Sequence, residues 1–353
     1  VPQESKNLPT VRAVAIGLLL IAVGMATATF FAGPVPAKFG YTPDPDGTKR
    51  FLSELDKPLF AQAGEDAIRE AKGKDTFLYR AAYKAHLALH GQPWTVGRQG
   101  IGDCVSWGFA HCVWIAQSVD WETGRLPAPP PFPATESIYG GSRVEARGKK
   151  QAGYSDGSYG GAAAKWLRDW GVIYRQTYAG HDLTKYSADR AKDWGNWGNG
   201  GRDDAGKLDL VAKTHPAKHV ALVRNFREAA AAIESGFPVA VCSNYGFRSV
   251  RDGQGFCAPS GSWAHCMALI SVRYDRPGLL CLNSWGTSWV SGPKFPDDMP
   301  EGAFWIDAKV IDGMLSGEDS FAVGSVDGFG WRDLHHGNWL SPAPDALALF
   351  LAL

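Results

Sequence analysis

The chain has 353 residues, in which 36 Lys+Arg balance 36 Asp+Glu. With no net charge and no basic cluster, it lacks the electrostatic footprint of a nucleic-acid or anionic-membrane binder. Fourteen tryptophans and 42 glycines describe a packed, loop-rich globule of one medium domain with extensions, not a disordered chain.

Residues 1–10 are polar. Ala13 to Gly33 is an uncharged run of about 21 residues, roughly 31 Å as a helix and enough to span a hydrocarbon core. Lys6 and Arg12 before it favour a cytoplasmic N-terminus. The run reads either as a signal peptide, with Ala26-Thr27-Ala28 as a small-residue cleavage site, or as an uncleaved anchor, which its length favours. A buried soluble helix is the third reading. The expectation is an extracytoplasmic, secreted or membrane-anchored protein with single-pass membrane association through residues 13–33.

Residues 38–95 form a second segment. Pro34, Pro36, Pro43, Pro45 and Pro58 make Gly33 to Asp56 read as an extended linker. Glu65 to Leu89 carries apolar residues at helical spacing (Ala67, Ile68, Ala71, then Phe77, Leu78, Ala81, Ala82, Ala85, Leu89), with Gly73 dividing it. A helical extension packed on the following domain is expected, placed where an inhibitory, propeptide-like role is open to it.

The stretch Arg98-Gln-Gly-Ile-Gly-Asp-Cys104 runs into a helical pattern carrying Val105, Phe109, Cys112, Val113 and Ile115. Asp103 is a good N-cap residue, which places Cys104 in the first helical turn. There the helix dipole stabilises a thiolate and lowers the thiol pKa. Loop, glutamine and helix-start cysteine together are what a nucleophile beside an oxyanion site requires. His111 lies about two turns further along the helix and cannot serve as the base for Cys104.

Leu126 to Pro133 reads as a polyproline-type surface strut, and Ser137 to Arg147 as helix. Trp194-Gly-Asn-Trp-Gly-Asn-Gly-Gly201 reads as a floppy insert: a lid, a substrate-contacting loop or a disordered stretch. Further on, Ser262 to Tyr274 and Leu279 to Asn283 read as strands joined by the turn Arg276-Pro-Gly278. Such a hairpin holds His265 and Asn283 near each other. Ala303 to Asp307 is another strand, and Leu347 to Leu353 an apolar end.

The segment Asn283-Ser-Trp-Gly-Thr-Ser-Trp289 is nearly identical to the asparagine motif of papain-like cysteine peptidases, and the order Cys104, His265, Asn283 is that family's. Asp156-Gly-Ser-Tyr159 with Ala163 to Val172 is similar to its substrate wall and second helix. Glu228 to Val241 is similar to the helix and strand that open its second half. The resemblance covers roughly residues 95–330. The distance from Cys104 to His265 exceeds the ~130–150 residues usual there, which implies an insertion; residues 181–219 are the candidate.

The resemblance implies an α+β, papain-like two-subdomain fold: a helical half (about 96–215) and an antiparallel, β-barrel-like half (about 220–330), with the active-site cleft between them and a tail over 331–353. It implies a thiol endopeptidase with Cys104 as nucleophile, His265 as base and Asn283 as its orienting partner. Gln99 and the Cys104 N–H would serve as oxyanion donors, and Trp285 as cover for the His–Asn pair. Gly157, Ser158 and Ala264 would contact a peptide or protein substrate. No cofactor is implied.

Departures are visible. Gln99 stands five residues before Cys104 where the family has six, the loop lacks a disulfide cysteine, and Asp103 brings a negative charge next to the thiolate. Val105 stands where tryptophan is common, and Ala264 where an acid is common. These keep two rivals open: a weak or inactive binding protein of the same fold, and a Cys-His amide hydrolase or transferase acting on non-protein amides. Cys112, Cys242, Cys266 and Cys281 read as core; Cys257 with Cys242 or Cys266 is a possible bridge. No C-x2–4-C spacing supports a metal.

Overall fold

The computed structural model describes residues 39–334, apart from Tyr154, Ala179, Ser325 and Val326. The readings over residues 13–33 and 347–353 lie outside these residues. Among the described residues no helix is long and apolar enough to cross a membrane.

The helices used below are α1 (Pro45–Leu52), α2 (Tyr79–His90), α3 (Cys104–Glu122), α4 (Thr135–Arg143), α5 (Gly160–Asp169), α6 (Ala188–Trp197), α7 (Phe226–Glu234) and α8 (Ala308–Leu315). The strands are β1 (Thr76–Phe77), β2 (Val220–Leu222), β3 (Val239–Arg251), β4 (Cys257–Arg273), β5 (Gly278–Leu282), β6 (Ala303–Asp307) and β7 (Phe321–Val323). The molecule is thus α+β. Helices dominate up to residue 212, and a seven-stranded antiparallel sheet in the order β2-β7-β3-β4-β5-β6 follows, with β1 paired to β4.

The core lies where α3 meets β3 and β4. Every α3 residue from Cys104 to Asp120 is buried, as expected of a helix apolar on all sides. On β4, residues 265–273 are buried without a break. Gly108 makes the close approach possible: a Cβ there would lie 2.9 Å from the Cys266 sulfur and 3.1 Å from the Met267 carbonyl oxygen. The start of α3 is therefore pressed against the strand that carries His265.

Four expectations are corrected. The linker contains α1, capped by Asp44, whose Oδ1 accepts the Gly47 N–H at 2.8 Å, with Pro45 at its first turn; proline suits that position because its missing N–H would be unpaired there anyway. The helical reading over 65–89 is interrupted by β1, which separates a short helix (Glu65–Glu70) from α2. The aromatic–glycine insert is ordered: Trp194, Asn196 and Asn199 are buried, and α6 runs through its first half. All six cysteines are free, so the proposed Cys257 bridge is absent.

His111 is wholly enclosed by Trp94, Trp107 and Phe132. Neither ring nitrogen has a hydrogen-bond partner among the described residues. Burial pushes its pKa down to about 3, so it folds as neutral imidazole. Its contribution is present above the ordinary value of ~6.5 and is lost as pH falls from there toward 3. His111→Phe is therefore expected to gain stability over wild type by roughly 2 kcal/mol more at pH 5 than at pH 7, read by urea unfolding. An equal difference at both pH values would refute this account.

Candidate active site

β4 and β5 pair with Ala268 opposite Leu282, so His265 and Asn283 emerge at the same end of the hairpin. His265 Nε2 lies 2.8 Å from Asn283 Oδ1. The same oxygen accepts the Ser284 backbone N–H at 2.7 Å. An oxygen that accepts twice settles the amide orientation, and hence the imidazole tautomer: the proton is on Nε2, and Nδ1 keeps its lone pair. Nδ1 is buried with no hydrogen-bond partner among the described residues. The Trp285 ring lies over the imidazole, with centroids 4.7 Å apart and planes inclined by 35°.

Cys104 begins α3 on the facing side. The residues about its sulfur include Cys266, which follows His265, and Gly40. The thiol pKa is pushed well up, by burial first and then by Cys266 and the neighbouring Asp103, with the backbone amides of Cys266 and Gly40 opposing. The expected lowering by the helix dipole is overturned because the site is covered. Burial likewise pulls His265 down to about 4, against the opposing pull of Asn283. Sulfur and imidazole are thus both neutral in this closed arrangement.

What covers them is the segment Phe39–Thr42. The N–H groups of Gly40 and Tyr41 donate to the Ala264 carbonyl at 3.2 and 3.1 Å. The Ser158 N–H donates to the Gly40 carbonyl, and the Thr42 N–H to the Ser158 carbonyl, both at 2.8 Å. Gly157 adopts φ +102°, and a Cβ there would lie 2.7 Å from the Thr42 methyl. The three residues expected to hold substrate, Gly157, Ser158 and Ala264, therefore lie around an extended peptide, which is the chain's own. Phe39 points its ring at Trp285 (5.8 Å), His265 (6.2 Å) and Trp263 (6.5 Å).

The anchor of this segment is Asp319, buried between it and the start of α5. Its carboxylate accepts from Thr48 Oγ1 (2.7 Å) and from the N–H groups of Gly160 (2.8 Å) and Gly161 (2.7 Å), with the Tyr41 side chain close by.

The Gln99 loop is tied to the asparagine motif. Gln99 N–H donates to the Ser284 carbonyl (2.8 Å), Gly286 N–H to the Gly97 carbonyl (3.1 Å), and Ser284 Oγ to Gln99 Oε1 (2.6 Å). Gln99 Nε2 donates to the Ile101 carbonyl at 2.8 Å. Asp103 does not cap α3 with its side chain. Its Oδ2 instead accepts from Tyr186 Oη (2.9 Å) and Trp107 Nε1 (3.3 Å), two donors that draw the carboxylate away from the helix N–H groups. Sequence reasoning missed Ser284, Tyr186 and the Phe39–Thr42 cover. Only the aromatic–glycine–aromatic triplet Phe39-Gly40-Tyr41 could have signalled the last.

No family model and no curated protein matches this sequence. Among solved structures, the chain is similar to xylellain, a cysteine protease from Xylella fastidiosa, at 16% identity and TM-score 0.48, covering 84% of this chain and 95% of that one. It is also similar to digestive procathepsin L 3 of Tenebrio molitor larval midgut (13% identity, TM-score 0.44, 82% and 83% covered). A third is procathepsin B S9 from Trypanosoma congolense (10% identity, TM-score 0.48, 90% and 99% covered). At such identities the roles of individual residues rest on the geometry above.

Proposed function

We propose that this chain is a papain-like thiol endopeptidase, held closed by its own Phe39–Thr42 segment. One observation carries the reading: the bond from His265 Nε2 to Asn283 Oδ1 leaves Nδ1 unprotonated as a base, on the residue before Cys266, which lies next to Cys104. Once the segment moves aside, His265 Nδ1 takes the thiol proton and the sulfur adds to the scissile carbonyl carbon. The negative oxygen that forms is stabilised by the Cys104 N–H and the Gln99 side-chain amide. The C–N bond then breaks as the imidazolium gives its proton to the leaving amine. A thioester remains; water, deprotonated by His265, cleaves it and restores the thiol. Trp285 keeps bulk water from the His265–Asn283 bond, which strengthens it.

Labelling of the full chain with a peptidyl, thiol-directed electrophile tests this reading. Cys104 is expected to react far faster than Cys112, which is equally buried in the same helix but has no imidazole partner. Equal rates at the two cysteines would reject it. Cleavage of peptide libraries, with non-protein amides alongside, separates a peptidase from an acyl hydrolase of another substrate class.

A further inference from the structure

The loop that carries the oxyanion donors is gripped from both sides, and one side belongs to the insertion. Ser284 holds Gln99 from the asparagine motif, as described. Opposite it, Tyr186 Oη accepts the Gly100 N–H at 2.9 Å and donates to Asp103 Oδ2 at 2.9 Å. One hydroxyl therefore joins the residue after Gln99 to the residue before Cys104. The two donors to the developing oxyanion flank this bridge.

The bridge stands on a rigid base. The Tyr186 ring packs edge-on against Trp107, with centroids 5.2 Å apart, and the Arg175 guanidinium lies 5.9 Å from its centre. The next residue, Ser187, donates its N–H to Glu136 Oε1 at 3.0 Å, and the fully buried Glu136 carboxylate also pairs with Arg175 at 2.6 Å. At Gly100 a Cβ would lie 2.7 Å from the Ala188 methyl, so the loop backbone rests directly on the start of α6. Asp103 is completely buried, and its Oδ1 has no hydrogen-bond partner among the described residues. An interior carboxylate with half its acceptor capacity unused is costly and adds nothing as a helix cap here.

We infer that Tyr186 and Asp103 are positioning residues that set the direction of the Gln99 and Cys104 oxyanion donors, so that the insertion is part of the catalytic scaffold and not a lid. The inference rests on the thiol-peptidase reading. It also explains how a loop one residue shorter than the family pattern, without a disulfide, is kept in place.

The test uses the full chain with Tyr186→Phe, Asp103→Leu and Asp103→Asn. Two reagents are compared at Cys104: a peptidyl aldehyde, whose adduct with the sulfur places an oxygen among the donors, and iodoacetamide, whose alkylation does not. Both need the same opening of the Phe39–Thr42 cover, so the ratio of their reactivities cancels it. Tyr186→Phe and Asp103→Leu are expected to lower that ratio, and kcat on peptides, by about 100-fold, the scale of one lost oxyanion donor, with KM within about twofold. Asp103→Asn, whose amide oxygen still accepts from Tyr186, is expected to stay within about threefold of wild type. Amide exchange at Gly100 is expected to accelerate in Tyr186→Phe and not in Asp103→Asn.

An unchanged ratio in folded Tyr186→Phe, or a fall in Asp103→Asn as large as in Asp103→Leu, overturns the inference. If wild type ignores the aldehyde and all peptides while iodoacetamide labels Cys104, the peptidase reading falls instead. Gly100 exchange then still decides whether Tyr186 holds the loop: no change in Tyr186→Phe refutes it.

Discussion

Alanine at position 40 is expected to uncover the site. A Cβ on Gly40 would overlap the Gly102 carbonyl oxygen and its carbon, and those atoms cannot retreat, because Gly102 lies two residues before Cys104 in the tied loop. The opposite wall is equally fixed, since the Gly40 N–H is bonded to the Ala264 carbonyl on β4. Overpacking of this kind costs about 1–3 kcal/mol, and each 1.4 kcal/mol is roughly tenfold in an equilibrium. Gly40→Ala should therefore speed iodoacetamide labelling of Cys104 by about 10- to 100-fold, leave Cys112 as slow as before, and raise peptide hydrolysis in parallel. Labelling at the wild-type rate would mean that the segment is not what shields the sulfur. The variant also reveals the intrinsic chemistry of the pair, because the upward shift of the thiol and the downward shift of the imidazole both have burial as their first cause.

Cys104→Ala is expected to abolish turnover, by ~10⁴-fold or more, while leaving a folded protein. Alanine suits the first turn of α3, and the loss of one buried sulfur costs on the order of 1–2 kcal/mol. The measurement is kcat on the best peptide substrate, together with the unfolding midpoint. Cys112→Ala, a change of equal size two turns along the same helix, is the control and should retain activity. Turnover surviving in folded Cys104→Ala would exclude the acyl-enzyme route entirely.

The parts of the molecule that were legible in the sequence are those with strong local signals. β6 was read at its observed bounds, and the β4–β5 hairpin nearly so, because unbroken apolar runs flanking a Pro-Gly turn leave little alternative. That hairpin alone brings His265 and Asn283 together. The failures have two physical origins. At Asp44-Pro45 composition misled: proline-rich text was read as linker, although an Asp followed by Pro is a helix start. At Asp103 the local signal was sound but was outbid by a distant partner, Tyr186, 83 residues away, helped by Trp107 in the next turn. The thiol pKa was misjudged for the same reason. The helix dipole is a local property, whereas burial of Cys104 comes from distant parts of the chain, among them β4 at Cys266 and Gly40, on a segment whose pairing with Ser158 and Ala264 no periodicity announces.

Asp319 has a bearing on how Cys104 becomes uncovered. Its hydroxyl donor, Thr48, arrives with the N-terminal arm, whereas its other hydrogen-bond partners are main-chain amides of the body. Excising that arm would strip an interior carboxylate of the Thr48 bond and leave a scar beside Gly157 and Ser158. A swinging exit, in which Phe39–Thr42 lifts while Thr48 in α1 stays seated, keeps that bond. Reversible breathing, more than irreversible trimming, is the mode of opening that this anchor favours.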